Sequence, residues 1–210
     1  MISPRVYTGG DLATNGYLLE GKEGIICFDA PEGMARELMR NNIKPVALLL
    51  THGHFDHMWD SVLIGEDYNV PIYVHKADEH MVLDPSYVKM FGVAPPVRAP
   101  SHVQNFNVPE GGTAPFHVAG EEFQMFHIPG HSAGSVAFYH PGWGILISGD
   151  TLFCGGVGRW DLPGGSRTAL LQGLQKHLVP LPPETRVFAG HGPSTTIGHE
   201  RETNPYLYTI

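Results

Sequence analysis

The 210-residue sequence contains few cysteines, few charged residues and no long apolar run. Two cysteines, Cys27 and Cys154, allow at most one disulfide and exclude a disulfide framework. Only 16% of the residues are charged, which is too few for a disordered polyelectrolyte. No apolar stretch reaches membrane-spanning length, and the N-terminus lacks the basic and apolar segments of a signal peptide. These absences predict a cytoplasmic protein that does not interact with membranes.

Basic residues are also scarce, and the formal net charge is −8. Because phosphate binding requires a basic surface, this charge argues against nucleic acid as a main ligand. Hydrophobic residues make up 42% of the chain, enough for a sizeable core, and the length favours a single domain over residues 1–210. Histidine, by contrast, is frequent. The chain has 13, as many as lysine and arginine together, which raises the expectation of a metal site.

Apolar segments with strand and helix patterns alternate along the chain and predict an α/β fold. Segments typical of strands are NGYLLEG, GIICFDA, PVALLL, PIYVH, EEFQMFHI, SVAFYH, WGILISG and TRVFAG. PVALLL is expected to be buried on both faces. Helical spacing of apolar residues predicts helices in PEGMARELMRNN and RTALLQGLQKHL. The proline-rich segment from Asp84 to Gly112 is interpreted as a long surface loop, in which Tyr87, Met90 and Phe91 are placed to cover a substrate.

The strongest functional signal is the segment THGHFDH, in which three histidines and an aspartate follow a predicted buried strand. Alternate residues of an extended segment point the same way, so His52 and His54 are placed to bind one ion. Asp56 and His57 then begin a new turn and face a second ion. A polar loop with incidental histidines would leave this density of imidazoles unexplained. The spacing also differs from the helical H-E-x-x-H zinc motif.

Three further candidate ligands follow predicted strands later in the chain: His131 after EEFQMFHIPG, Asp150 after WGILISG and His191 after TRVFAG. Each alone has a simpler explanation as a turn or capping residue. Together with THGHFDH they supply five imidazoles and two carboxylates, a set suited to two ions that share a bridging carboxylate and a solvent molecule. The positive charge of two divalent ions exceeds the negative charge of these carboxylates and a hydroxide. The site therefore stays cationic and suits an anionic tetrahedral intermediate.

The segment PGHSAGS also supports a rival interpretation. Gly130–Gly134 matches G-x-S-x-G, and Ser132, then Asp150 or Asp161, then His191 follow the chain order of α/β-hydrolases. That nucleophile elbow requires a helix after its second glycine, whereas SVAFYH is strand-like. We therefore predict that His131 is a metal ligand and Ser132 a turn residue. A metal-binding protein without turnover is a third alternative, from a different class.

Four motifs in their order along the chain resemble the metallo-β-lactamase-fold hydrolases. They are H-x-H-x-D-H at 52–57, P-G-H at 129–131, G-D at 149–150 and G-H-G-P at 190–193. The segments SGDTLFCGGVGRWDLPGG and AGHGPSTTIGHERETNPYL are similar to the glyoxalase II-like branch, especially to its short single-domain members. The resemblance implies an αββα sandwich of two mixed β-sheets flanked by helices. It also implies two divalent metal ions, with zinc the first choice and iron or manganese as alternatives.

The resemblance further assigns a role to each candidate ligand. The first metal would be held by His52, His54 and His131. The second would be held by Asp56, His57 and His191. Asp150 would bridge the two ions, and Asp56 and Asp150 are the implied catalytic carboxylates. The implied substrate is a small-molecule thioester or a similar activated acyl compound, cleaved as by a hydroxyacylglutathione hydrolase. Neither the acyl group, the thiol carrier nor the oligomeric state follows from the sequence.

Single residues separate this branch from others of the family. Asp150 counts against class B β-lactamases, and His54 stands where flavodiiron proteins carry glutamate. Phe153 stands where acyl-homoserine lactonases carry tyrosine. Lactonase, weak β-lactamase and persulfide dioxygenase activities remain as alternatives. Full-length glyoxalase II enzymes use a C-terminal helical domain to hold glutathione, and the sequence after Pro205 does not resemble one, which leaves the thiol carrier open.

Three other residues have two interpretations each. Asp29 either orients a ligand histidine or caps a helix before Pro31. Trp59 either narrows the mouth of the site or packs on the core, and we favour the core. Arg159 either anchors an anionic substrate or pairs with Asp161, and we favour the pairing.

Overall fold

The computed structural model describes residues 2–94 and 98–207. The chain forms two compact units, which we call the N-terminal unit (Ile2–Phe106 with Val118–Glu121) and the C-terminal unit (Asn107–His117 with Glu122–Ile210). A single domain over residues 1–210 therefore stays a prediction. Among the described helices, none has the length and apolar character needed to cross a bilayer.

The strands are β1 Arg5–Gly9, β2 Thr14–Gly21, β3 Gly24–Phe28, β4 Pro45–Leu49, β5 Ile72–Val74, β6 Gln104–Asn105, β7 Thr113–Val118, β8 Glu121–His127, β9 Val136–His140, β10 Ile145–Gly149, β11 Leu152–Phe153, β12 Gly156–Val157, β13 Arg186–Ala189 and β14 Thr195–Thr196. The α-helices are α1 Met34–Arg40, α2 Phe55–Met58, α3 Ser61–Tyr68, α4 Glu79–Leu83, α5 Arg167–Gly173 and α6 Ile197–Thr203. Short 3₁₀ helices cover Pro85–Phe91 and Pro141–Trp143.

The N-terminal unit is built on a six-stranded mixed sheet in the order β1-β2-β3-β4-β5-β6. The first three strands are antiparallel, and β3 to β6 run parallel. Helices α1 and α3 contribute Met34, Leu38 and Ile64 to a core that also contains Cys27 and Leu48 from the strands. Since β3, β4 and β5 are parallel, their carboxyl ends lie at one edge, and the segment THGHFDH begins at that edge.

The C-terminal unit contains the second mixed sheet, in the order β14-β13-β10-β9-β8-β7. Strands β8, β9 and β10 are antiparallel neighbours, whereas β10 and β13 are parallel. Helix α5 is capped by the Ser166 hydroxyl, which accepts a hydrogen bond from the Ala169 amide. Its Leu170 packs with Ile128 and Leu146 of the sheet region in one core. The predicted arrangement of two mixed sheets flanked by helices is thus confirmed.

All eight segments that were predicted as strands form strands, and differences concern detail. In PVALLL, Val46 is 39% exposed, so β4 is not fully buried on both faces. RTALLQGLQKHL is α-helical only to Gly173 and continues as a π-helical turn, Leu174–Leu178, which keeps both of those leucines buried. The segment from Asp84 to Gly112 is not a structureless loop, because it contains a 3₁₀ helix and strand β6. Residues 95–97 and the Phe91 side chain lie outside the described part.

Candidate metal centre

Three histidine rings of the N-terminal unit converge just after strand β4. The ring centroids of His52 and His54 are 4.7 Å apart, and those of His52 and His57 are 4.2 Å apart. His54 has an extended backbone and precedes helix α2, and the His57 amide donates a hydrogen bond of 3.0 Å to the His54 carbonyl. The expected change from extended chain to a new turn at Asp56 and His57 is confirmed, and it brings side chains from both segments together.

The buried carboxylate of Asp29 orients this cluster. It accepts hydrogen bonds from His57 Nδ1 at 2.9 Å, from the Thr51 amide at 2.7 Å and from the Thr51 hydroxyl at 2.9 Å. Because a carboxylate only accepts, the proton of His57 lies on Nδ1, and Nε2 carries the lone pair that a metal ion requires. The hypothesis that Asp29 orients a ligand histidine is supported by this geometry.

Asp29 also acts on His52 through Thr51. The Thr51 hydroxyl donates its proton to Asp29, so at 3.0 Å from His52 Nδ1 it accepts the imidazole proton. The lone pair of His52 is thereby placed on Nε2. One carboxylate at the end of β3 thus fixes the tautomers of two candidate ligands.

The loop between His52 and His54 is held from both sides at Gly53. Its amide donates to Asp78 Oδ2 at 2.9 Å, and its carbonyl accepts from the Tyr87 hydroxyl at 3.2 Å. A Cβ at this position would lie 2.9 Å from the Asp78 carbonyl oxygen, which explains the glycine. Burial raises the pKa of Tyr87, so its hydroxyl stays a donor. Tyr87 therefore supports the ligand loop, a role that its position in the proline-rich segment did not predict.

The C-terminal unit brings its three predicted ligands together. Asp150 Oδ2 lies 3.4 Å from His131 Nε2 and 3.4 Å from His191 Nε2. His131 Nδ1 donates to the Arg159 carbonyl at 2.8 Å, which again directs Nε2 to the carboxylate. Gly130, with φ of 136°, lets the P-G-H turn approach the start of α5, because a Cβ there would lie 2.5 Å from the Leu170 amide.

Carboxylate–imidazole separations in both units match those of two ligands on one ion. Asp56 Oδ2 lies 3.4 Å from His57 Nε2 and accepts a hydrogen bond of 2.7 Å from the Thr14 hydroxyl. A separation of 3.4 Å exceeds the normal hydrogen-bond range of about 2.7–3.2 Å. Two ligands at about 2.0–2.2 Å from a tetrahedral zinc ion lie about 3.4 Å apart. In kind and number, the histidine and aspartate donors fit a dinuclear metal site.

A cavity of about 130 Å³ opens beside Asp56 in the N-terminal unit. Its lining combines apolar side chains with two exposed acids and includes Leu12, Phe55, Trp59, Val93, Asp11 and Glu32. The rings of Phe55 and Trp59 meet edge to face at 6.1 Å. Trp59 is partly exposed and belongs to the cavity wall, which supports the site-mouth interpretation over the core packing favoured from the sequence.

The rival nucleophile elbow lacks its helix. After Gly134 the chain enters strand β9, so the pentapeptide joins two antiparallel strands. Ser132 is buried, and its hydroxyl lies 2.7 Å from the Ser135 hydroxyl. Arg159 pairs with Asp161 through two contacts of 2.7 and 2.8 Å, as favoured from the sequence, and lowers the pKa of that carboxyl to about 2.

Replacing Asp29 with Asn should weaken metal binding about 10–100-fold, as expected when the partner of a ligating histidine is altered. Asn tolerates the left-handed φ of 57° at this position, so the backbone is preserved. A competition titration with a chromophoric chelator measures the change, with the exposed Asp161→Asn as the matched control. Affinities within twofold of each other for Asp29→Asn and the unaltered chain would show that Asp29 does not orient the ligands.

Comparisons with known proteins agree with this geometry. The model of the "Metallo-beta-lactamase superfamily" matches residues 9–191. Hydroxyacylglutathione hydrolase GloC of Haemophilus influenzae is 33% identical over 185 residues, with 84% of each chain covered. The solved structure of the BLEG-1 B3 metallo-beta-lactamase is 35% identical with a TM-score of 0.88, and covers 98% of this chain and 99% of its own. The solved structure of TTHA1623 in a di-iron-bound form is 40% identical with a TM-score of 0.85. It covers 97% of this chain and 100% of its own.

The family match covers most of the chain and spans all seven predicted ligands, from His52 to His191. The similarities extend over 84–98% of this chain, so they are not confined to the histidine motif. The chain therefore belongs to the metallo-beta-lactamase superfamily, as a metal-dependent hydrolase.

Proposed function

We propose that the chain hydrolyses a thioester or a similar activated acyl bond at a dinuclear metal centre. The proposed ligands are His52, His54, Asp56, His57, His131, Asp150 and His191. The observation that carries the proposal is the repeated geometry of carboxylate and imidazole at 3.4 Å in both units. The relationship to a hydroxyacylglutathione hydrolase over 84% of the chain supports the thioester as substrate.

In this proposal the bound metal ions, zinc by preference with iron or manganese as alternatives, supply Lewis acidity and lower the pKa of water to about 7. The protein keeps the ligands deprotonated at the atoms that bind. Asp29 holds the Nδ1 proton of His57, and the Arg159 carbonyl holds that of His131. Asp150 Oδ2, at 3.4 Å from the Nε2 atoms of both His131 and His191, would be the ligand that the two ions share. No side chain is then required as a nucleophile.

We further propose that the cavity beside Asp56 receives the acyl group. Leu12, Phe55, Trp59 and Val93 give it an apolar lining, while Asp11 and Glu32 make it negatively charged. An acyl group that carries a carboxylate is disfavoured by this charge, so neutral or cationic acyl groups are the expected substrates.

The proposed function is tested by a hydrolysis panel on protein of measured metal content. The panel contains S-D-lactoylglutathione, other thioesters, lactones and a cephalosporin. We expect thioester turnover that a chelator abolishes and that zinc, iron or manganese restores. The cephalosporin tests the second candidate function, β-lactam hydrolysis, which the likeness to BLEG-1 favours. Turnover of the cephalosporin without thioester hydrolysis would replace our proposal by that one.

Glu32→Gln should raise kcat/KM for a carboxylate-bearing acyl thioester relative to a neutral one by about fivefold. The reason is that two like charges a few ångströms apart in water repel each other by about 1 kcal/mol, and the substitution removes one of them. Glutaryl and butanoyl esters of the same thiol provide the comparison. Glu20→Gln removes an exposed carboxylate that does not line the cavity and serves as the control. An unchanged ratio for Glu32→Gln would exclude the cavity as the acyl site.

A further inference from the structure

Within residues 2–94 and 98–207, a group of metal-ligating side chains lies outside the seven proposed ligands. The ligand atoms of Cys154, His199 and Glu200 lie within 4.8 Å of one another. All three residues belong to the C-terminal unit. We propose that they bind a thiophilic divalent ion such as Zn²⁺ or Cd²⁺. This proposal does not rest on the proposed hydrolase function.

Glu200 provides a fixed anionic anchor for this ion. It is fully buried on α6, where Oε1 accepts from the Thr195 hydroxyl at 2.6 Å, and Oε2 accepts from the Gly155 amide at 2.9 Å and the Asn204 side-chain amide at 2.8 Å. A carboxylate offers about four acceptor positions, so these three bonds leave room for a metal contact. The same bonds hold the carboxylate in place before an ion arrives.

Cys154 and His199 complete the site from the solvent side. Cys154 follows β11 directly, His199 precedes Glu200 on α6, and both side chains are exposed. A zinc ion lies about 2.3 Å from a cysteine sulfur and about 2.0–2.1 Å from a histidine nitrogen, so ligand atoms within 4.8 Å of one another are near the spacing that it requires. Three protein ligands and one water then give zinc its usual four-coordinate shell.

Ligand chemistry distinguishes this site from the histidine and aspartate centre. A thiolate prefers soft ions, whereas imidazole and carboxylate ligands accept zinc, iron and manganese alike. Binding releases the proton of the Cys154 thiol, because the thiolate is the form that ligates a metal ion. The Gly155 amide already bonds to Glu200, so an ion here would add a second link between the β11–β12 hairpin and helix α6.

The experiment is a Cd²⁺ titration of the full chain, in which the thiolate-to-metal charge-transfer absorption in the ultraviolet is measured at each addition. None of the seven proposed ligands contains sulfur, and Cys27 is fully buried, so this absorption reports Cys154. We expect saturation at one thiolate-bound ion per chain. Cys154→Ser should abolish the absorption, and Cys27→Ala should leave it unchanged. His199→Gln should raise the dissociation constant at least about 10-fold.

Three results would overturn the proposal. They are absence of the charge-transfer absorption, its survival in Cys154→Ser, and an unchanged dissociation constant in His199→Gln. The last would mean that a single exposed thiol binds the ion without help from α6. Thioester hydrolysis is measured on the same samples. Cys154→Ser and His199→Gln alter no ligand of the proposed hydrolytic centre, so failure of the thiolate site can be distinguished from failure of the hydrolase function.

Discussion

Asp150→Ala is expected to lower the metal content and the hydrolase activity of the chain together. Asp150 Oδ2 lies 3.4 Å from the Nε2 atoms of both His131 and His191, so its loss removes the negative charge between two imidazoles and, in the proposed centre, a shared ligand. A fall in kcat/KM of about 10³-fold or more corresponds to several kcal/mol of metal-dependent stabilisation. Elemental analysis should show at least one ion fewer per chain.

Asp161→Ala is the matched control for this variant, because it removes an exposed carboxylate that pairs only locally with Arg159. Its metal content should equal that of the unaltered chain. Circular dichroism of both variants separates loss of metal from loss of fold. An Asp150→Ala protein that is free of metal and fully active would refute the proposed mechanism.

His131→Ala and Ser132→Ala, at neighbouring positions, should have opposite outcomes. His131→Ala is expected to abolish hydrolysis along with one metal ion, since it deletes an imidazole whose Nε2 faces Asp150. Ser132→Ala removes a hydroxyl bonded to Ser135, so it should cost about 1 kcal/mol of stability and leave most activity. Steady-state kinetics and metal analysis on both proteins make the comparison.

The serine-hydrolase alternative predicts the reverse for Ser132. Loss of a serine nucleophile costs about 10⁶-fold in kcat in enzymes that depend on one. Ser135→Ala disturbs the same hydroxyl pair from its other side and is the control for packing. If Ser132→Ala is inactive while Ser135→Ala is active and both retain metal, the serine would be the reactive group.

The sequence was sufficient to predict eight of the fourteen described strands and the kinds of side chain that follow them, because both leave local patterns. Apolar runs such as WGILISG end at one candidate ligand each, and the structure has a strand in each such run. His52 and His54 share a face simply because they are two residues apart in extended chain. Asp29 could be nominated since it ends a predicted strand before a proline.

The residues that hold the ligands in place were not predictable in the same way. Asp78 and Tyr87 contact Gly53 from 25 and 34 residues away along the chain, and Thr14 contacts Asp56 from 42 residues away. Such contacts depend on the tertiary fold and leave no periodic signal. The π-helical turn at Leu174–Leu178 was also missed, because the spacing of apolar residues predicts a helix without distinguishing its type.

Metal dependence of thioester hydrolysis tests the central proposal most directly. Protein stripped of metal with a chelator is titrated with zinc, iron or manganese, and hydrolysis is measured at each addition. The Cys154→Ser variant is used so that the proposed thiolate site does not add to the count. We predict that activity returns in proportion to bound metal and reaches its maximum at two ions per chain. Full thioester hydrolysis by the metal-free chain, or none at two bound ions, would contradict the proposal.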